Sequence, residues 1–470
     1  MEPNILEKSK KIHLIGVGGT GMSGLAQLLM AMDKKVSGSD NNPSKVLRKL
    51  KRKGIKVFSP QKEKNINKDT ELVIHSYAIL PDNPEYKKAV EYMIPIISYP
   101  EAVGCVMESR TGVAVAGTHG KTTTSSLLVS ILKTAGCSPS FLIGGEIKNI
   151  GNSEVGKGDL LIVEACEYKK AFLNYKPRIG IITAIEEDHL DYYKNIEEIK
   201  KAFSDFSKNI KELIIYNGED KNVRDIIKKS DRKDIISYGI NKGNWRAENI
   251  KFFKNVSEFD CIVRGKKEAV VRMGISGAHN VKNALAAIIC ARHLDVPWDS
   301  IKEGLKNFGG IHRRSEILGR VGRITVMDDY AHHPTEIKCT LKCIKNRFPD
   351  SRIIVVFQPH QYSRTRFLLK EFAMSFSDAD KVVVPDIYFV RDSIIEQKFV
   401  NAKMLVEKIR KNGKEALYLP SFDEIVEYLC EIVQRDDVII TVGAGTVDKI
   451  AHSMLKKLRK KGYKNVDKKT

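Results

Sequence analysis

One stretch restricts this chain more than any other: Val113-Ala114-Val115-Ala116-Gly117-Thr118-His119-Gly120-Lys121-Thr122-Thr123-Thr124. An apolar run that reads as a buried strand breaks into a glycine turn, and a helix-forming segment follows at once. Glycines let successive backbone N–H groups point at one anion, and a helix N-terminus adds favourable partial charge. Lys121 can reach outer phosphates and the Thr122 hydroxyl can ligate Mg²⁺. The general phosphate-loop pattern has a further glycine where Val115 stands, so this is a shortened variant. Read as an ordinary strand–turn–helix corner, the stretch would leave the Gly-Lys-Thr order accidental.

A second phosphate-binding turn lies upstream. Lys11 to Ser23 reads KIHLIGVGGTGMS, an apolar strand followed by Gly16-x-Gly18-x-x-Gly21. A helix-like segment, Leu25 to Met32, and a strand ending at Ser39-Asp40 come next. This matches the dinucleotide fingerprint with its downstream acid, yet the turn serves any diphosphate on a helix N-terminus. Strands near Glu71–Ser76 and Pro95–Tyr99 extend a Rossmann-like unit. Two such turns imply two different nucleotides, which weakens a plain nicotinamide oxidoreductase.

Beyond the phosphate loop, strands at Leu160–Ala165 and Ile179–Ile185 end in acids. Glu164 stands in VEACEY, and Glu186-Glu187-Asp188-His189-Leu190-Asp191 follows the second. Carboxylates and an imidazole facing a phosphate loop suit Mg²⁺ beside a triphosphate; a helix cap or hydrogen-bonded turn is the plainer reading of Asp188-His189. Asn280 and Asn283 precede a helix expected over Ala284–Leu294, one turn apart, where they can face a purine or cap the helix.

Gly309-Gly310 and the paired Arg313-Arg314 read as a domain junction. A strand at Arg323–Met327 then delivers Asp328-Asp329-Tyr330-Ala331-His332-His333-Pro334 into a loop, and one at Arg352–Phe357 delivers Gln358 to Thr365. Strands at Lys381–Asp386 and Val438–Val442 complete a third α/β unit. Two loops rich in His, Tyr and Arg after parallel strands look like a polar site.

At 470 residues the chain exceeds one core, so several domains are expected. No apolar run is long enough to span a bilayer, and Met1 to Lys11 lacks an apolar signal core, so a cytoplasmic protein without membrane association is expected. The eight scattered cysteines read as reduced thiols. A net charge of +21 invites a nucleic-acid reading, but the basic residues are dispersed except for Lys456 to Lys469, and no aromatic-plus-basic module accompanies them. No nucleic-acid partner is expected.

Taken in order, GVGGTGMSGLA, GTHGKTTT, VEACEY, EEDHLDYY, SGAHNVKNALAA, HRRSE, DDYAHHPTE and QPHQYSRT resemble the Mur ligase family, from residue 15 to about 365. The chain departs from common family residues at Cys166, Tyr168 and Lys169 of the VEACEYK stretch, at Ala184, at Ser315 and at Thr446. The resemblance implies an α/β protein of three domains: a Rossmann-like UDP-sugar-binding unit at 1–108, a central P-loop ATPase-like parallel-sheet unit at 109–310, and a C-terminal Rossmann-like unit at 311–470 that admits the amino acid.

The implied reaction is ATP-dependent ligation of L-alanine to the carboxylate of UDP-N-acetylmuramate in peptidoglycan precursor synthesis. It passes through an acyl phosphate, with Mg²⁺ as cofactor and a monomer or weak homodimer as the assembly. Lys121, Glu164, His189 and Arg314 would carry the chemistry, with Thr122, Glu164 and His189 on metal. Gly117 to Thr123, Asn280, Asn283 and Asp329 would hold ATP. Gly16, Gly18, Gly19, Thr20, Gly21, Met22, Ser23, Asp40 and Ser76 would hold the UDP-sugar. Tyr330, His332, His360 and Arg364 would face L-alanine, Arg364 pairing with its carboxylate. A sister ligase that attaches a recycled peptide to the same UDP-sugar stays open as an alternative.

Overall fold

The computed structural model describes residues 5–390 and 392–460. Residues 1–4 of the polar N-terminus, and the part of the basic run beyond residue 460, lie outside the described residues. Three sheets of five, ten and six strands follow one another along the chain. Runs such as Thr111–Ala116, Ile179–Ile182, Ile353–Phe357 and Val438–Val442 are apolar on both faces and almost wholly buried. That is the signature of strands covered by helices on both sides of a parallel sheet.

The first sheet is parallel throughout, with Lys11–Ile15 between Lys35–Ser39 and Leu72–His75. The glycine turn feeds a helix at Thr20–Ala31, which starts five residues before the expected Leu25. In the central sheet Thr111–Ala116 lies between Leu160–Ala165 and Ile179–Ile182, all parallel. Ala116 is in register with both Ala165 and Ile182, so three motif-bearing strand ends reach the same edge. An antiparallel extension, Trp245–Phe253, Val256–Val263 and Lys266–Met273, carries this sheet outward. In the third sheet Val442 is level with Asp329 and Phe357, so the Tyr330, Gln358 and Gly443 loops leave one edge together.

Several element boundaries differ from the sequence expectation. Ile179–Ile182 and Lys381–Val384 stop before residues 185 and 386, and Tyr99 opens a helix, Tyr99–Glu108, rather than closing a strand. The strand expected to end at Met327 runs over Ile324–Asp329, so both aspartates belong to it and are buried. The helix expected from Ala284 starts at Ala278, placing Asn280 and Asn283 in its first turns. Gly277, with φ +115°, caps it without a side chain, which is why the start is hard to read locally. Among the described residues no helix is long and apolar enough to cross a membrane.

Candidate active site

The phosphate loop spans residues 117–120 between the strand Thr111–Ala116 and the helix Lys121–Thr134. Its geometry depends on glycine. Gly117 has φ +139°, and a Cβ there would lie 2.0 Å from Thr183 Oγ1. The Lys121 ammonium curls onto the Thr118 carbonyl at 3.2 Å and pairs with Glu167 at 2.9 Å. Glu167 is nearly inaccessible, so this is an enclosed charge pair. Burial alone would depress the Lys121 pKa, but Glu167 outweighs it and holds the ammonium charged.

Beside the lysine, Thr122 Oγ1 donates at 3.0 Å to Glu164, whose Oε2 also accepts from the Gly144 amide at 2.8 Å. His189, in the left-handed region at φ +55°, packs on Tyr168 and brings Nε2 to 3.8 Å from Glu167 Oε1. Lys121, Glu167 and His189 therefore form one chain of contacts, next to a separate Thr122–Glu164 oxygen pair. Glu167 was not among the expected site residues; its only sequence signal is its place three residues after Glu164.

The C-terminal unit closes the site through buried ionic contacts. Arg364 donates from Nε and Nη2 to Asp188 Oδ1 at 3.0 and 2.9 Å, and each side chain is only 7% exposed. Burial opposes ionisation of Asp188, yet Arg364 holds its carboxyl well below the usual range. Arg364, expected to face the amino acid, here places two of its donors on Asp188 and brings Nη1 to 3.2 Å from His360 Nδ1. The guanidinium is drawn to the nearest buried carboxylate because an unpaired Asp188 there would be costly.

His119 turns away from the loop toward the C-terminal unit. Its Nε2 lies 3.4 Å from Glu186 Oε2 and its Nδ1 3.5 Å from Glu336 Oε1. Burial by itself would lower the His119 pKa, but these two carboxylates raise it to about 9. Glu186 is pulled to about 2, against its own burial, chiefly by His119. The protonated imidazole stabilises the fold fully below its unfolded pKa near 6.5, and that contribution fades as pH rises through about 9. The melting-temperature difference between wild type and His119→Gln should therefore narrow between about pH 6.5 and pH 9. A constant difference across that window would show that His119 is not held charged.

Between the two units lies a cavity of about 500 Å³, a size ordinary for small ligands. His119, Gly120, Thr123, Asn280, Asn283, Arg314, Asp329 and Glu336 line it, so part of the expected ATP set shares one space, while Gly117, Thr118, Lys121 and Thr122 are not in its lining. Asn217, Tyr238 and Cys339 also line it, without any sequence pattern that marked them. Asp329 accepts from the Ser315 amide at 2.7 Å and the Ala331 amide at 2.7 Å, which fixes the turn after its strand. Arg314 lies 3.6 Å from Glu336 and over the Tyr330 ring. His332 sits 6.0 Å from His360, ring to ring, and burial lowers its pKa to about 4.

The upstream turn is assembled as a separate site. Gly16 and Val17 donate to the Ser39 carbonyl, and Gly18 donates to Asp40 Oδ2 at 3.0 Å. A Cβ on Gly18 would come within 2.7 Å of that carboxylate, so a side chain there would force Asp40 off the Gly18 amide. Ser76 lies against Gly16, Tyr99 against Gly21, and Thr20, Met22 and Ser23 open the helix. Asn152 of the central unit reaches the Thr20 carbonyl at 3.4 Å.

The chain matches three family models: Mur ligase family, catalytic domain, over 11–111; Mur ligase middle domain over 115–291; and Mur ligase, glutamate ligase domain, over 313–445. It is 43% identical over 461 residues to a UDP-N-acetylmuramate–L-alanine ligase of Caldanaerobacter subterraneus, covering 97% of this chain and 99% of the relative. The corresponding ligase of Acetivibrio thermocellus is 42% identical over 464 residues, 97% of each chain. Among solved structures, the UDP-N-acetylmuramate–alanine ligase of Thermotoga maritima superposes with TM-score 0.80 at 29% identity, over 96% of this chain and 99% of that one. A murein peptide ligase of Psychrobacter arcticus gives TM-score 0.69 at 28% identity, over 96% and 98%.

Proposed function

The chain belongs to the Mur ligase family, and from that premise we propose that it joins L-alanine to the carboxylate of UDP-N-acetylmuramate with ATP; its relatives' names state of them the ligation of UDP-N-acetylmuramate and L-alanine. It is an enzyme, a ligase of peptidoglycan precursor synthesis working in the cytoplasm. One observation supports this reading most. The register of the central sheet brings Lys121, the Thr122–Glu164 pair and the Glu167–His189 pair to one edge, opposite the C-terminal loops.

The chemistry fits that arrangement. A carboxylate resists amines because its leaving group would be oxide, so transfer of the ATP γ-phosphoryl group to a carboxylate oxygen must first give an acyl phosphate, with ADP as the leaving group. The amine of L-alanine then adds to the carbonyl carbon, and phosphate departs from the tetrahedral intermediate. Lys121 holds the β- and γ-phosphates, and Arg314 faces the phosphates from the C-terminal side. Thr122 Oγ1 and the Glu164 carboxylate are hard oxygen donors in mutual contact and suit Mg²⁺, with His189 beside Glu167 as a further donor. When bound, Mg²⁺ supplies charge neutralisation at the transferring phosphoryl group. Asn280, Asn283 and Asp329 hold the nucleoside, while Tyr330, His332 and His360 surround the amino acid. Closure by the C-terminal unit keeps water from the acyl phosphate.

We assign residues 1–108 to the UDP-sugar, 109–310 to ATP and 311–470 to the amino acid. Incubation with UDP-N-acetylmuramate, ATP, Mg²⁺ and single amino acids should release phosphate with L-alanine. Release with an L-Ala-headed peptide, and none with L-alanine, would favour the peptide-recycling reading instead. Calorimetry should show UDP-N-acetylmuramate binding to the upstream glycine turn; micromolar NAD binding with no UDP-sugar binding would overturn that assignment.

A further inference from the structure

At the cavity, side chains of three distant segments converge, and beyond the expected place of His119 in the ATP loop none of them has a task in the ligation chemistry. His119 belongs to the phosphate loop, Glu186 to the loop after Ile179–Ile182, and His333 caps the helix Pro334–Arg347. His119 Nε2 lies 3.4 Å and His333 Nδ1 3.8 Å from Glu186 Oε2. The imidazole centroids are 4.5 Å apart, and one ligand atom from each residue lies within 4.8 Å of the others. Metal–ligand bonds of about 2.0–2.2 Å place tetrahedral ligands roughly 3.4 Å apart, so the widest pair must close by at most about 1.4 Å, within the reach of imidazole rotation.

The outer partners support ligation. His333 Nε2 lies 3.1 Å from the Glu187 carbonyl, which assigns the proton there and leaves the Nδ1 lone pair on the inner side. Nδ1 accepts only a long bond, 3.3 Å, from the Thr335 amide. His119 Nδ1 is buried without a hydrogen bond and faces the Glu336 carboxylate at 3.5 Å. A carboxylate behind an imidazole orients the ring and raises its basicity as a ligand. Thr335 Oγ1 donates to Glu186 Oε2 at 2.6 Å and fixes the carboxylate.

We propose that His119, Glu186 and His333 form a binding site for a zinc-class divalent ion, distinct from the Thr122–Glu164 pair, that clamps the C-terminal unit onto the phosphate loop. Two imidazoles and one carboxylate select such an ion over Mg²⁺, which prefers oxygen ligands. The ion replaces the proton shared by His119 and Glu186, and that proton passes to solvent. Because His333 lies on the C-terminal side and the other two on the central side, the bound ion holds the cavity shut and slows product release.

Co²⁺ serves as a coloured probe of this site. Added to the full-length protein in excess Mg²⁺ and without nucleotide, it should bind once per chain, give the intense visible band of a four- or five-coordinate centre, and raise the melting temperature. His119→Ala and His333→Gln, shown folded by circular dichroism, should each weaken binding by on the order of tenfold or more, while Glu164→Gln should not. In a separate assay Zn²⁺ should inhibit wild-type turnover at saturating Mg²⁺, and His333→Gln should resist. No Co²⁺ binding at about 100 µM, binding retained in both histidine variants, or loss in Glu164→Gln would overturn the site. Co²⁺ binding without Zn²⁺ inhibition would overturn the clamp.

Discussion

Lys121→Ala should reduce phosphate release by on the order of 10³-fold or more while UDP-N-acetylmuramate binding survives. The ammonium is held at the mouth of the phosphate loop by the Thr118 carbonyl and Glu167, and burial makes that charge count for more than it would in water. Its removal takes a cation from a phosphoryl group that gains charge in the transition state, and it leaves Glu167 buried without its partner. The upstream glycine turn, proposed to hold the UDP-sugar, belongs to the first sheet, so calorimetry with UDP-N-acetylmuramate alone should give a near-normal isotherm. Phosphate release close to wild type would make the central loop something other than the ATP site. Lys121→Arg keeps the charge but not the compact shape, and should recover only part of the loss.

Arg364→Ala should release the C-terminal unit from the central one. Removing one member of a buried pair leaves Asp188 uncompensated, and such breaks cost about 3–5 kcal/mol. Asp188 accepts from the His189 amide at 2.7 Å, so when it moves toward water it draws His189 away from Glu167. Small-angle scattering should record a larger radius of gyration, and turnover should fall together with affinity for L-alanine. Arg364→Met combined with Asp188→Asn should recover much of the compactness, because no charge is then left buried. An Arg364→Ala protein with unchanged dimensions and normal alanine dependence would show that the pair neither closes the units nor positions the site.

The legible parts of this protein are those whose physics is local. Glycines that adopt left-handed or extended angles, Lys121 and Thr122 at a helix start, and apolar runs covered on both faces need only their near neighbours to be recognised. From them followed the phosphate loop, the upstream glycine turn and three parallel-sheet units in order. The same locality explains the boundary errors. Gly277 caps the helix Ala278–His293 without a side-chain signal, and the strand Ile324–Asp329 keeps two aspartates because burial beside Arg313 and Ser315 accommodates them.

Which acid meets which base was settled only by the tertiary structure. Glu164, Glu167, Glu186 and Asp188 look alike along the chain, yet they face Thr122, Lys121, His119 and Arg364 respectively. Arg364 and Asp188 are 176 residues apart in sequence. Their pairing depends on two sheets presenting their carboxyl edges to each other and on the cost of a lone charge in a closed space. The sequence determined which segments form the glycine turns, the buried strands and the helix starts. Packing between the units decided where each charge is spent, because desolvation acts on the assembled interior and leaves no periodicity in the chain.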